Sequence, residues 1–136
     1  MLSKARPQKQ KVTFMSAARR SIWILLVNGD STVLQLRALM LRMQSYRVDI
    51  ASSLDDARMK MVERSYDLVI VDVGHFADPG LDFCEEIKSK DPHQKFLIHA
   101  EDKVFPVKND CPDDVVPKQD GPLTFVKAVQ RVLQVA

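Results

Sequence analysis

Apolar positions along this chain come in two rhythms. The stretch Leu68-Val-Ile-Val71 is an unbroken apolar run rich in β-branched residues, closed by Asp72 and by a loop holding Gly74, Pro79 and Gly80. Such a run predicts a strand buried on both faces. Ile22 to Val27, ended by the turn signal Asn28-Gly29-Asp30, and Lys95 to Ala100 read the same way. Arg47 to Ala51 alternates, which predicts a strand exposed on one side, at a sheet edge. Val115 and Val116 make a very short fifth strand, followed by a turn at Pro117-Lys118-Gln119.

Between these runs the period lengthens. With Asp30 or Ser31 as a cap, Val33, Leu36, Leu39, Met40 and Met43 recur at helical spacing as far as about Ser45. Ser53, three residues before Asp56, opens a second helix carrying Leu54, Ala57, Met61 and Val62. A third helix, from about Gly80 to Lys90, turns Leu81, Cys84 and Ile87 inward and is stopped by Asp91-Pro92. The last is capped by Asp120, has Pro122 in its first turn, and buries Phe125, Ala128, Val129 and Val132. Residues 101–112 contain Pro106, Pro112 and several charges, so the helix expected before the fifth strand is short or missing. Met40, Met43, Met59 and Met61 are expected in the core.

Strands alternating with helices predict an α/β fold, a parallel sheet with helices on both faces. Right-handed crossovers and this length favour a flavodoxin-like three-layer sandwich with a five-stranded sheet of order 2-1-3-4-5. In such sheets ligands and chemistry gather outside the carboxyl ends of the strands, at the switch point between the first and third. That places Asn28, Gly29 and Asp30 beside Asp72.

Composition changes the picture in one respect. The 136 residues suit one domain, and 46% hydrophobic with 28% charged residues is ordinary for a globular protein. The first 29 residues hold no Asp or Glu, while Lys4, Arg6, Lys9, Lys11, Arg19 and Arg20 are basic. The remaining fourteen Lys and Arg face eighteen acids, a net of −4. A basic, disordered arm over residues 1–20 therefore precedes an acidic domain over 21–136. Nucleic acid is not an expected partner, because the domain itself is acidic. No apolar run approaches membrane-spanning length and no secretory signal is present, so a cytoplasmic protein without membrane contact is expected. Cys84 and Cys111 have no metal-ligand spacing and read as free thiols.

From residue 22 to 134 the sequence resembles the receiver (CheY-like) domain of bacterial two-component response regulators. Asp72 ends the third strand where that family has its phosphoacceptor. Gly80-Leu-Asp-Phe83 matches the family's start of the third helix without a gap, and Lys118 follows the fifth strand where the family keeps a lysine. Asp113-Asp114 ahead of that strand is also family-like. The resemblance implies attack of a carboxylate on a phosphodonor, assisted by Mg²⁺ held mainly by two acidic residues after the first strand. It further implies a lysine pairing with the acyl phosphate, a hydroxyl on the fourth strand, and an aromatic on the fifth that swings inward.

The sequence departs from this pattern at most of those positions. Asn28 and Gly29 stand at the acidic pair, with Asp30 one position late. His99 takes the Thr/Ser position and Val115 the aromatic one; Gln119 and Phe76 replace two family prolines. The expectation is a pseudo-receiver: a signalling domain working by protein–protein contact without conventional Mg²⁺-dependent phosphorylation, and without catalytic turnover. Expected partners are a histidine kinase, an effector or a second copy. No cofactor is expected beyond weak Mg²⁺ at Asp72 and Asp30. Two alternatives stay open. One is a working phosphoacceptor at Asp72. The other is a small-molecule or metal-binding module, for which Asp72, His75 and His99 would offer carboxylate and imidazole ligands but no sequential ligand motif.

Overall fold

The computed structural model describes residues 20–27, 31–74, 78–101 and 111–134. The five strands are β1 (Trp23–Val27), β2 (Arg47–Ala51), β3 (Leu68–Val73), β4 (Lys95–Ala100) and β5 (Asp114–Pro117). The helices are α1 (Ser31–Arg42), α2 (Leu54–Glu63), α3 (Asp78–Lys90) and α4 (Gly121–Gln134), with a 3₁₀ turn at Lys118–Asp120. All strand pairs are parallel and the order is β2-β1-β3-β4-β5, as the alternation of periods predicted. The central strands β1, β3 and β4 are nearly all buried, which is why they read as unbroken apolar runs. The basic arm lies outside the described residues except for Arg20. So does most of the segment where a short or missing helix was expected, at residues 102–110.

Two cores flank the sheet. On one face, α2 and α3 pack Ala57, Phe83, Cys84 and Ile87 against Val69, Val71, Phe96 and Ile98. On the other, α1 and α4 pack Leu34, Ala38, Leu41, Phe125 and Val129 against Ile24, Leu68, Ile70 and Leu97. Ser53 caps α2 by accepting the Asp56 N–H at 3.0 Å, and Asp56 returns the contact by accepting the Ser52 N–H at 3.2 Å. Gly80 is required where α3 crosses β3. A Cβ there would lie 2.7 Å from Val73 Cγ1, so any larger residue would force Val73 or the helix to shift.

The phase of α1 differs from the expected one. The buried positions are Leu34, Ala38 and Leu41, while Leu36 (56%), Leu39 (55%) and Met43 (73%) are exposed. Apolar residues on nearly every side of this helix leave periodicity without a unique phase. Small Ala38 allows the close approach to the sheet that decides it. Met59 and Val62 on α2 are likewise exposed rather than in the core, whereas Met40 and Met61 pack against it.

Candidate functional site

The carboxyl ends of β3, β4 and β5 bring three expected site residues together. Asp72 is the penultimate residue of β3, with its side chain only 4% exposed. Its register partner on β4 is His99, so both side chains emerge on the same side of the sheet, toward α1 and α4. Lys118 opens the 3₁₀ turn after β5, and its ammonium forms an ion pair with Asp72 Oδ1. The same ammonium reaches Glu101 at 3.3 Å, just beyond β4.

His99 is held more tightly than a residue standing for a hydroxyl would suggest. Its side chain is 3% exposed. Nδ1 lies 3.8 Å from Asp72 Oδ2, too far for a hydrogen bond, and instead accepts Arg37 Nε–H at 3.2 Å. The ring sits 4.8 Å from the Phe125 ring, and the Arg37 guanidinium lies 5.6 Å over that same phenyl. Arg37 on α1 therefore pins His99 on β4 and Phe125 on α4 into one packed unit. Burial first, then the charges of Arg37 and Lys118, push the imidazole pKa down to about 3, so the ring is neutral. With Nδ1 accepting, the ring proton is on Nε2, which is buried and has no hydrogen-bond partner among the described residues.

Asp72 experiences opposing influences. Burial raises its pKa, while the hydrogen bond and charge of Lys118 and the more distant Arg37 pull it down; burial prevails. The carboxylate is therefore an expensive group to keep charged, and the paired Lys118 ammonium offsets part of that cost.

Of the remaining expected residues, Val115 does not join this cluster. Val115 pairs with Ile98 and packs against the α2/α3 core, on the opposite face of the sheet from His99. Asn28, Gly29, Asp30, His75 and Phe76 lie outside the described residues, and with them the proposed Asp72–His75–His99 and Asp72–Asp30 metal sites. Among the described residues no group of three His, Cys, Asp or Glu could hold a metal ion.

Of the residues expected to hold Mg²⁺, only Asp72 is described, and it is buried and paired with the Lys118 ammonium; Asn28, Gly29 and Asp30 follow β1 in the sequence. Arg37 was the residue that pattern reading missed. It lies three residues after Leu34 and four before Leu41, hence on the inward stripe once the true phase of α1 is known.

The doubly wound sheet with a carboxylate–lysine pair at its carboxyl edge is the arrangement the resemblance to receivers implies. The chain matches the model of the response regulator receiver domain over residues 24–112, and it belongs to that family. It is 30% identical over 67 residues to the transcriptional regulatory protein ResD of Bacillus subtilis (strain 168), a match covering 49% of this chain and 28% of ResD. The matched region is thus under a third of that relative's length. The chemotaxis protein CheY4 of Vibrio cholerae has a similar fold, with a TM-score of 0.72 at 21% identity over 83% of this chain and 99% of that one. The response regulator TrrA of Thermotoga maritima, solved with Mg²⁺ and BeF, gives 0.71 at 23% identity over 82% and 98%. Among the described residues no helix is long and apolar enough to cross a membrane.

Proposed function

We propose that this receiver domain signals through protein–protein contacts without Mg²⁺-dependent phosphorylation of Asp72. The observation that carries the reading is His99. In the family the neighbouring position on the fourth strand offers a hydroxyl that can donate a hydrogen bond toward a phosphoryl group. Here His99 stands at that position, and its Nδ1, 3.8 Å from Asp72, is an unprotonated nitrogen already accepting from Arg37. It has no hydrogen to give, and the packed Arg37–His99–Phe125 unit leaves the ring little freedom to turn. The sequence supports the same reading: with Asn28 and Gly29 at the positions of the family's acidic pair, an incoming phosphoryl group and Asp72 would depend on the charges of Lys118 and Arg37 rather than on a firmly held metal ion. The partner is a histidine kinase, an effector or another copy of the chain, and no catalytic turnover accompanies the contact.

The Asp72–Lys118 pair favours a second reading, in which Asp72 remains a phosphoacceptor. Incubation with acetyl phosphate and Mg²⁺, followed by intact mass measurement, separates the two. The proposal expects no added phosphoryl mass. An adduct that is absent from Asp72→Asn would establish the second reading instead.

A further inference from the structure

On the α2/α3 face of the sheet, away from Asp72, two thiols are buried against each other. Cys84 lies mid-way along α3 and is fully buried, while Cys111 sits just ahead of β5 and is 2% exposed. One Sγ hydrogen-bonds the other at 2.8 Å across a sequence separation of 27. The same seam is fastened by Lys88, whose ammonium donates to both oxygens of Asp113 at 2.9 and 2.8 Å. Asp113 in turn accepts the Phe96 N–H at 2.7 Å and donates its own N–H to the Phe96 carbonyl at 2.9 Å.

The geometry points to Cys84 and Cys111 as a modification site, a dithiol that a peroxide converts reversibly into an internal disulfide joining α3 to the lead-in of β5. The pair has no third ligand for a metal among the described residues, and its sulfurs need only close from 2.8 Å to a bond of about 2.0 Å. Burial and the neighbouring thiol push the Cys84 pKa well up, so that thiol rests protonated, and the burial of both sulfurs slows reaction with bulky reagents. Oxidation therefore proceeds through local opening of the seam or entry of a small oxidant.

The chemistry balances with hydrogen peroxide as the oxidant. One thiol, losing its proton, attacks a peroxide oxygen; the O–O bond breaks, leaving a sulfenic acid and one water. The neighbouring thiol attacks the sulfenic sulfur, forming the S–S bond and releasing a second water. Two thiols thus supply the two electrons and two protons that reduce the peroxide. Proximity of the second sulfur lets it capture the sulfenic acid before further oxygen adds. The cross-link would pin the strand whose far end positions Lys118, so the redox state sets the rigidity of β5 independently of any phosphorylation.

The test uses the full wild-type chain, treated with hydrogen peroxide and analysed by intact mass and non-reducing peptide mapping. Expected are the loss of two hydrogen masses and one peptide pair linking Cys84 to Cys111, both reversed by dithiothreitol. The oxidised form should melt roughly 10 °C higher, because a long loop is closed in the unfolded chain. An unchanged dithiol, oxygen added to either cysteine without an internal link, or disulfides only between chains would overturn the proposal.

Discussion

The two ends of the central strands handle charge in opposite ways. At the amino end, Arg20 pairs with Asp67 at 3.0 Å while remaining 65% exposed, and the other Asp67 oxygen accepts the Trp23 N–H at 2.8 Å. Arg64 lies 3.5 Å from the centre of the Trp23 ring and reaches Asp49 at 3.4 Å, both side chains partly exposed. At the carboxyl end, the Asp72 and His99 side chains are almost wholly buried, and their cationic neighbours come from α1 and from the turn after β5. Solvated pairs of the first kind tidy a sheet edge and contribute little. Buried groups of the second kind are costly to assemble and more costly to break. That contrast marks the carboxyl end as the place where this sequence sacrifices stability for a task, and it can be challenged at four points.

The largest effect should follow Lys118→Met, which removes the ammonium paired with the buried Asp72 carboxylate. A loss of about 3 kcal/mol in urea unfolding is expected. Most of that loss should disappear when Asp72→Asn is combined with it, because no buried charge is then stranded. A loss below about 0.5 kcal/mol would place the pair with the surface pairs of the amino end.

Next comes the pH dependence of His99. Its folded pKa of about 3 lies below the ordinary 6.5, so its neutral form stabilises the fold above pH 6.5, and that contribution is lost as pH falls toward 3. At pH 4.5 the wild type should have lost roughly 3 kcal/mol more than His99→Gln, relative to pH 7. Asp72, with its pKa raised, works in the opposite direction on acidification and is common to both chains, so the difference between them isolates the histidine. Parallel stability curves would show that the imidazole is not buried neutral.

Arg37→Met should cost about 1–2 kcal/mol by removing the hydrogen bond to Nδ1 and the stacking over Phe125. It should also raise the His99 pKa, measurable by NMR titration of the imidazole, since one of the charges holding it down is gone. No movement of that pKa would dissolve the packed unit on which the proposed function rests. The smallest effect belongs to the other end: Arg20→Ala should change stability by less than about 0.5 kcal/mol.

The same contrast governs what could be read from the sequence. Strand order, the edge position of β2, the Ser53 cap and the buried stripe of α4 all follow from periods and caps, because each is fixed by local pattern and burial. Asp72 and Lys118 were legible for a different reason, namely that the resemblance to receivers put both at strand ends. His99 was visible only as a departure. Its lock was not, because Arg37 lies 62 residues away and its role depends on the phase of α1. With Leu36, Leu39 and Met43 exposed and Leu34, Ala38 and Leu41 buried, that phase is set by fit to the sheet and not by hydrophobicity. The thiol contact escaped the sequence for a related reason: nothing in the spacing of Cys84 and Cys111 reveals that the lead-in to β5 passes over the middle of α3.

The most direct test of the central claim is an amide NMR titration with Mg²⁺ followed by beryllofluoride, with Asp72→Asn as control. No saturable shifts around Asp72, His99 and Lys118 are expected at millimolar Mg²⁺, and none on adding the phosphoryl mimic. Saturable shifts that spread from Asp72 along β5, and that vanish in Asp72→Asn, would contradict that claim and return the domain to conventional phosphorylation control.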